Sequence, residues 1–280
     1  MRKIDVLNIA DVVARLCVEA NVNLRNDVVW AIKRSLRREK NGRAKAALRF
    51  LLENERIASK EKIPICQDTG LTVVFVELGQ DVHLVGGALL RAVNKGAERG
   101  YKKGYLRKSV VGSPLNRQNT NTNTPVLLHT TVVRGDKIKI WVMPKGFGSE
   151  NKSSLCMLTP ADGEDGIIEF VLDAVRQAGP EACPPFVLGI GIGGTFDYAA
   201  YLSKKALLQR LDRENPDKRL RILEKRILNK INDLRIGPMG LGGKTTALGV
   251  KILSAATHIA GLPVAVNVNC HAMRSAYGVI

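Results

Sequence analysis

The stretch Pro64-Ile65-Cys66-Gln67-Asp68-Thr69-Gly70 marks the point where the sequence changes from helix-like to strand-like. Before it, apolar residues recur at helical spacing in three segments, at about residues 4–20, 27–38 and 43–58. After it, Leu71–Leu78 is a run typical of a β-strand. We therefore predict an α+β fold, in which helices surround mixed β-sheets and two lobes enclose a cavity.

Later segments continue the alternation of helices and strands without a visible internal repeat or linker. Residues 1–280 are therefore predicted to form one domain, whether or not it divides into two lobes. The polar stretch Gly112–Pro125 is followed by two predicted strands, 126–133 and 137–142, joined as a hairpin. Because it is tied to a hairpin, the polar stretch is interpreted as a binding loop. Further helices are predicted at 84–99, 164–178, 199–213, 219–233 and from the end of the 237–243 loop to about 259, and further strands at 186–192 and 264–268.

Composition limits the classes of protein to which this chain can belong. Hydrophobic residues make up 45% of the 280 residues, which excludes a disordered chain. No apolar run reaches the roughly 18 residues of a membrane-spanning helix, and Asp5 and Asp11 argue against a signal peptide. The five cysteines are odd in number and form no Cys-x-x-Cys pair. We therefore expect a protein of the reducing cytoplasm, without a disulfide framework or a zinc ribbon.

The net charge of +17 leaves three interpretations open. The cations can form solvated helix faces, or a basic surface that meets an acidic partner or attracts an anionic substrate. Nucleic-acid binding is the third interpretation. It is not favoured, because only 5% of the residues are aromatic and no nucleic-acid motif is visible.

Three cysteines lie in contexts that do not resemble core packing. Cys66, Cys183 and Cys270 are flanked by Pro, Gly or polar amides, which predicts that they lie in loops. Three thiolates from distant loops can hold three irons of a [4Fe–4S] cluster and leave the fourth iron open as a Lewis acid. From the residues alone a shared metal site stays a hypothesis, because the spacings match no compact signature. Cys17 and Cys156 are interpreted as packing residues.

Two glycine-rich segments match nucleotide-binding motifs only in part. Gly189–Gly194 has the spacing G-x-G-x-x-G, but Asp212, where an acidic residue should end a second strand, falls in a charged helical segment. A plain turn, or a loop beside a bound metal or anion, is the alternative to nucleotide binding. Gly242-Gly243-Lys244 lacks the upstream glycine of a P-loop and is interpreted as a carboxylate site at the start of the predicted helix that follows.

Four motifs occur in order along the chain. They are Ile65-Cys66-Gln67-Asp68-Thr69-Gly70, Gly148-Ser149-Glu150-Asn151-Lys152, Cys183-Pro184-Pro185 with Gly191-Ile192-Gly193-Gly194-Thr195, and the segment from Ile236 to Gly249. Together they resemble the class I fumarate hydratase family, which includes L-tartrate dehydratase, over nearly the whole chain. The motifs are long and rarely found elsewhere. The resemblance implies an oxygen-sensitive [4Fe–4S] hydro-lyase.

The resemblance also implies roles for the residues at matching positions. The cluster ligands would be Cys66, Cys183 and Cys270. Asp68 and His258 would be catalytic groups near the substrate, although a lone histidine in an apolar helix is usually a core residue. The substrate-binding residues would be Gln67, Arg107 and Gly148, with the Arg107 guanidinium gripping a substrate carboxylate.

The extent of the resemblance indicates a two-subunit enzyme. Family members with the whole enzyme on one chain carry a second domain, whereas this sequence stops at Ile280, just after the third cysteine. The implied protein is therefore an α subunit that needs a β subunit to complete the substrate pocket and supply the base for proton transfer.

The expected reaction is the reversible hydration of fumarate to (S)-malate in the cytoplasm, with L-tartrate dehydration as the alternative. We also expect a small dicarboxylate substrate, self-association through the α subunit, and neither nucleic-acid nor membrane binding. A basic nucleotide- or RNA-binding protein is the alternative from a different class.

Overall fold

The chain passes back and forth between two structural units. The computed structural model describes residues 1–280. Unit 1 consists of Met1–Arg25, Glu55–Phe147 and Arg274–Ile280, and unit 2 consists of Asn26–Asn54 and Gly148–Met273. Both contain helices and a mixed β-sheet, so the predicted α+β class is confirmed.

The helices and strands are numbered along the chain. The helices are α1 (Val6–Val22), α2 (Asn26–Arg38), α3 (Gly42–Glu61), α4 (Leu89–Lys103), α5 (Phe147–Glu150), α6 (Gly163–Ala178), α7 (Phe196–Ala206) and α8 (Lys218–Asp233). The strands are β1 (Arg2–Asp5), β2 (Leu71–Gly79), β3 (Val82–Val85), β4 (Leu127–Val133), β5 (Ile138–Lys145), β6 (Ser154–Leu158), β7 (Phe186–Gly194), β8 (Ala247–Thr257), β9 (Leu262–Asn269) and β10 (Ala276–Val279). None of the helices has the length and apolar character that crossing a membrane requires.

Unit 1 is built on a four-stranded sheet with the order β10-β5-β2-β4. The central strand β2 is parallel to β4 and antiparallel to β5. The two strands predicted to form a hairpin therefore lie on opposite sides of β2, and the hairpin prediction was wrong. The physical reason is the buried run Thr72–Val76 in β2, which needs a neighbour on both edges to satisfy its backbone groups.

Two helices of unit 1 approach each other closely because glycine replaces larger residues at their contact. Gly96 and Gly100 on α4 face α1. A Cβ atom at Gly96 would lie 2.5 Å from the carbonyl oxygen of Ala10, and one at Gly100 would lie 2.6 Å from that of Ala14. The core between these helices and the sheet includes Ile9 and other buried residues at helical spacing on α1.

Unit 2 is built on a second mixed sheet, with the order β6-β9-β7-β8. The buried side chains of α6 and α8 share one apolar cluster with β7, β8 and β9. Helix α7 packs on β7 at two glycines, since a Cβ atom at Gly189 would lie 2.1 Å from the Ser203 carbonyl oxygen and one at Gly191 would lie 2.0 Å from that of Ala199. The G-x-G-x-x-G spacing therefore lies inside a strand and serves helix packing, so both the turn and the ligand-loop interpretations were wrong.

Three other secondary-structure predictions were also wrong. Arg2–Asp5 and Val82–Val85 are paired strands, so the helices predicted at 4–20 and 84–99 begin later than predicted, at Val6 and Leu89. Ala247–Thr257 is the strand β8 and not a helix, because it pairs in parallel with β7 along the sheet. Tertiary pairing overrides local propensity in all of these short segments. The Gly242-Gly243-Lys244 loop consequently does not begin a helix.

The two four-stranded sheets share one strand pattern. In unit 1 the chain runs from β2 to its parallel neighbour β4 and then to β5, which is antiparallel to β2 on the other side. In unit 2 it runs in the same way from β7 to β8 and then to β9. In each sheet, the loop before the first strand and the loop after the third strand therefore meet at one edge. These edges carry most of the residues singled out from the sequence, with His258 as the exception.

Candidate active site

Two of the three predicted cluster ligands meet at one edge of the sheet in unit 2. Cys183 precedes β7, and Cys270 directly follows β9. Because these strands are antiparallel with Val187 opposite Asn269, the two cysteines fall at the same end of the strand pair. Both are partly exposed thiols.

A backbone hydrogen bond joins the two cysteine loops. The amide N–H of His271 donates to the carbonyl oxygen of Cys183 at 3.2 Å, and His271 Nδ1 lies 3.1 Å from the same oxygen. Cys183 has a left-handed backbone conformation, with a φ of +54°, which turns the chain before Pro184-Pro185. The two loops are therefore held beside each other by main-chain contacts and not only by their side chains.

The glycine-rich segment Gly237–Gly243 lies at the same edge, because β8 is parallel to β7 and begins opposite Phe186. The amide of Met239 donates to the Pro184 carbonyl oxygen at 2.8 Å, which ties this segment to the Cys183 loop. Gly237 has a φ of +72°, and a Cβ atom there would lie 1.6 Å from the Gly242 carbonyl oxygen. Only glycine fits this turn.

Gly148 lies in the short helix α5, and the loop that follows this helix reaches the same edge through β6, which is antiparallel to β9. The Glu150 carboxylate anchors the loop, since it accepts hydrogen bonds from Lys204 Nζ on α7 and, at 3.2 Å, from Asn267 Nδ2 on β9. A further ion pair, Lys152 Nζ to Glu181 Oε2 at 2.5 Å, links the loop to the turn before Cys183 and lowers the pKa of Glu181. Nothing lies within 4 Å of the position a Cβ atom would take at Gly148.

In unit 1 the Cys66 loop precedes β2, at the sheet edge where β5 ends. Cys66 and Asp68 are partly exposed and Gln67 is exposed. The Asp68 carboxylate accepts two backbone hydrogen bonds, from the Gly70 amide at 2.9 Å and from the Phe147 amide at 2.8 Å. These bonds fix the orientation of Asp68 and join its loop to the end of β5.

Arg107 lies beside this loop. Its carbonyl oxygen accepts a hydrogen bond from Thr69 Oγ1 at 2.7 Å. Its side chain is exposed, and its guanidinium has no hydrogen-bond or ion-pair partner within the chain. A guanidinium with all its donors unused can bind a carboxylate through two parallel hydrogen bonds.

Two buried polar side chains, Tyr101 and Asn123, position these loops through hydrogen bonds. The sequence analysis singled out neither of them. Tyr101 Oη donates to the Thr69 carbonyl oxygen at 2.6 Å and also lies 3.1 Å from that of Gly70. Asn123 donates to the Gly70 carbonyl oxygen at 3.1 Å and accepts from the Ser109 amide at 2.8 Å. Burial raises the pKa of Tyr101, so its hydroxyl stays protonated and remains a donor. Asn123 falls in the polar stretch already interpreted as a loop, whereas Tyr101 in a helical segment gave no signal.

Arg274 is a second residue that the sequence did not single out. It is only 2% exposed, its Nη1 donates to Asn21 Oδ1 at 3.1 Å, and its Nε has no partner. A Cβ atom at Gly146 would lie 3.4 Å from Arg274 Nη2 and 3.1 Å from Asp68 Oδ2. Gly146 therefore lies close against a carboxylate and a guanidinium, with little room for a side chain. The signal in the sequence is the position of this arginine, four residues after Cys270.

His258 does not lie on a helix, as predicted, but follows the last residue of β8. It is exposed, and its Nδ1 accepts a hydrogen bond from the Ala260 amide at 3.2 Å. Within unit 2 it stands at the opposite end of β8 from the edge that carries Cys183 and Cys270, about 30 Å away along the strand. Its catalytic role stays a prediction, and nothing within unit 2 brings it to the cysteines.

The structure thus places Cys66, Gln67, Asp68 and Arg107 in unit 1, and Gly148, Cys183, Cys270 and His258 in unit 2. No group of three or more His, Cys, Asp or Glu side chains is arranged to hold a metal ion. The convergence of all three cysteines stays a prediction.

The other two cysteines differ from the loop cysteines. Cys17 is fully buried in α1, and burial raises its pKa to about 12, so it stays a protonated thiol. Cys156 lies in β6 opposite Val264. A buried, protonated thiol is a poor metal ligand, which agrees with the packing role predicted for Cys17.

Comparison with known proteins decides the family. Residues 10–279 match the family described as "Fumarate hydratase (Fumerase)". The chain belongs to the class I fumarate hydratase family. The family identified from the sequence motifs is thereby confirmed, and its members are hydro-lyases.

The similar proteins carry names that refer to tartrate. The chain is 41% identical over 276 residues to the "Putative L(+)-tartrate dehydratase subunit alpha" of Methanocaldococcus jannaschii, with 96% of each chain covered. It is 31% identical over 269 residues to the "L(+)-tartrate dehydratase subunit alpha" of Escherichia coli strain UTI89, covering 95% of this chain and 88% of that protein. Both of these relatives are named as α subunits.

Proposed function

We propose that this chain is the α subunit of a two-subunit [4Fe–4S] hydro-lyase that interconverts fumarate and (S)-malate. The observation that carries the proposal is the main-chain pairing of the Cys183 and Cys270 loops at one sheet edge, in a chain that matches the family over residues 10–279. A third cysteine, Cys66, occupies the corresponding loop of the other sheet.

The donor chemistry of these loops suits the proposed cluster. Cys66, Cys183 and Cys270 are partly exposed loop thiols, whereas Cys17 is buried and protonated. Thiolates are the ordinary protein ligands of iron–sulfur clusters. When bound through three cysteines, the cluster would supply one iron without a protein ligand, which acts as a Lewis acid on a hydroxyl and a carboxylate.

The residues of the chain itself would bind and orient the dicarboxylate. Arg107 offers an unused guanidinium fork for one carboxylate. The Asp68 carboxylate, fixed by the Gly70 and Phe147 amides, would face the reacting carbon as an oriented acid–base group. Gln67 beside it is exposed and free to donate to the substrate, and Gly148 would offer its backbone. Within unit 2, His258 lies at the opposite end of β8 from Cys183 and Cys270. A catalytic role for it would therefore need a substrate site that is not formed by unit 2 alone.

A second subunit is part of the proposal. The similar proteins are named "subunit alpha", which supports a β partner that completes the pocket and provides the proton-transferring base. We further propose that α subunits associate with each other in the complex.

Dehydration of L(+)-tartrate is the second candidate reaction. It is favoured by the names of the similar proteins, one of them 41% identical. (S)-Malate and L(+)-tartrate are both four-carbon 2-hydroxy dicarboxylates, so Arg107 and Asp68 would serve either in the same way.

Anaerobic reconstitution with iron and sulfide, followed by addition of a β subunit of the same family, tests the proposal. The expected result is a brown protein with broad visible absorption, almost inactive alone and active with β. Malate formed from fumarate faster than oxaloacetate from L(+)-tartrate supports the first candidate, and the reverse rate order supports the second. A colourless protein that binds RNA would instead support the basic binding-protein alternative.

A further inference from the structure

Helix α2 carries one exposed stripe of basic side chains around a tryptophan. The stripe consists of Trp30, Lys33, Arg34, Arg37 and Arg38, which follow the spacing i, i+3, i+4, i+7 and i+8 and therefore share one face of the helix. All five are exposed, Trp30 by 62%. The opposite face is buried in unit 2. We refer to these five residues as the basic stripe.

None of the four cations has a hydrogen-bond or ion-pair partner within the chain. Lys33 and Arg37, and likewise Arg34 and Arg38, are like charges at i and i+4, which repel each other on an isolated helix. No ion pair within the chain compensates this repulsion, and only Arg37 and Arg38, in the last turn, are favoured by the helix dipole. An unbalanced set of charges at this density calls for negative charge from outside the chain.

The other basic helix of the same unit shows the contrast. On α8, Arg226 pairs with Glu164 at 2.9 Å, and Arg221 and Lys225 pair with Glu214 at 2.9 and 2.8 Å. These cations of α8 are thus neutralised by ion pairs within the unit. The cations of the basic stripe form no such pair, although Arg34 also lines a neighbouring hollow that contains Asp212 and Glu214.

The stripe is concave rather than flat. Its five side chains line a hollow of about 290 Å³ that contains no acidic residue. Exposed tryptophan and arginine side chains are the residue types that most often carry the binding energy of protein interfaces. Trp30 offers a large apolar surface and one N–H donor at one end of the stripe, which is about 12 Å long from Trp30 to Arg38.

We propose that the basic stripe docks an acidic surface of the partner subunit in the two-subunit enzyme, an inference that rests on the proposed function. Charge complementarity selects the partner's chemistry, since four unpaired cations would meet a row of carboxylates. Single-stranded nucleic acid is less suited, because its binding sites stack successive bases on several aromatic rings and the stripe has only one. Trp30 would be buried in the contact.

A neutralising variant tests the docking. K33Q/R34Q/R37Q/R38Q removes the four charges without changing residues placed in the candidate site. The control R91Q/K95Q/K102Q/K103Q removes four exposed, unpaired cations of α4. The dissociation constant of the complex with the β chain is measured by sedimentation at low and at high salt. We expect the stripe variant to bind at least about tenfold more weakly, with a smaller salt dependence, and the control to stay within about twofold of wild type.

Tryptophan fluorescence gives an independent measurement. Trp30 and Trp141 are the two tryptophans of the chain, so W141F leaves Trp30 as the sole reporter. Adding the β chain should shift its emission to shorter wavelength, because docking buries the indole. The W141F protein must first show wild-type affinity for β.

The outcomes separate the inference from the proposed function. If wild type forms an active complex and the stripe variant binds β equally well, the docking site is overturned while the proposed function stands. If wild-type α and β do not associate, both fail. Binding of a 30-mer single-stranded DNA by wild type, lost in the stripe variant while β affinity is unchanged, would assign the stripe to nucleic acid and also overturn the inference.

Discussion

At the scale of single residues, buried polar side chains position the loops of the candidate site. Tyr101 is fully buried, and its hydroxyl holds the Thr69 and Gly70 carbonyls under the Cys66 loop. Because desolvation disfavours a phenolate, burial raises the pKa of this tyrosine. The folded protein therefore holds this proton more tightly than the unfolded chain does.

The Tyr101→Phe substitution should lower the free energy of unfolding at pH 7 by about 1 kcal/mol, the net value of a lost hydrogen bond. The pH dependence follows from the raised pKa. Its contribution is present below about pH 10, the ordinary tyrosine pKa, and is lost as the pH rises above it. The stability difference between wild type and variant should therefore shrink from pH 9 to pH 11. Urea unfolding of both proteins from pH 9 to pH 11 checks this prediction. A stability difference that does not change with pH would contradict it.

Arg107→Lys should reduce kcat/KM by about 10- to 150-fold, chiefly through KM, because the charge remains but the two-pronged geometry is lost. The guanidinium has no partner in the chain, so the melting temperature should not change. The measurement uses the complex with β at matched iron content. A kcat/KM within about twofold of wild type would place Arg107 on the solvated surface instead.

Replacing any one of Cys66, Cys183 and Cys270 with Ser should lower the iron bound after anaerobic reconstitution. Cys156→Ser and Cys17→Ala serve as controls and should retain wild-type iron. Iron analysis and visible absorption measure the outcome independently of activity. Full iron content in any of the three loop variants would remove that cysteine from the ligand set.

At the scale of secondary-structure elements, glycines decide how closely helices approach the strands. Gly191→Ala places a methyl group where the Ala199 carbonyl oxygen lies 2.0 Å away, so β7 or α7 has to move. We expect the free energy of unfolding to fall by about 3 kcal/mol or more. Gly261→Ala is the matched control, since nothing lies within 4 Å of its Cβ position, and should change stability by less than about 0.5 kcal/mol. Equal denaturant midpoints for the two variants would contradict this packing role.

Most helices and strands could be predicted from sequence, whereas β8 and the pairing order of the strands could not. The helices at 27–38 and 43–58 and the strand at Leu71–Leu78 were found close to their true bounds, because each is long and has a clear period. β8 was mistaken for a helix, since its eleven residues include several without β preference and its strand state depends on pairing with β7. The hairpin error has the same origin, because only tertiary structure inserts β2 between β4 and β5.

The candidate site could be predicted only where the type of a residue and its sequence neighbours indicated a function. Cysteines beside prolines were correctly placed in loops, and strand register then brought Cys183 and Cys270 together. Tyr101 and Arg274 act through buried positions that a helix-like or strand-like pattern does not reveal. The position of His258 was misjudged because its element was misassigned.

At the scale of the whole molecule, the last strand completes the first unit. β10 pairs with β5 and lies at the edge of the unit 1 sheet, with Ala276 in the unit's apolar cluster. Deleting residues 276–280 should expose the edge of β5 and part of that cluster, giving a protein that aggregates and unfolds at lower denaturant concentration. The deletion's soluble yield and unfolding midpoint, compared with wild type, test this. An unchanged midpoint would show that β10 is dispensable.

The interleaving of the two units also sets an order of events during synthesis. The segments of unit 2 end at Met273, so they have all been made before the final strand of unit 1 emerges from the ribosome. Unit 1 begins with Met1 yet has to wait for residues 276–279 to finish its sheet. Pairing between segments far apart in sequence slows folding, because chain entropy is lost before the stabilising contacts form. The unit made first is therefore the one completed last, and until then the bare edge of β5 is a surface that a chaperone would protect.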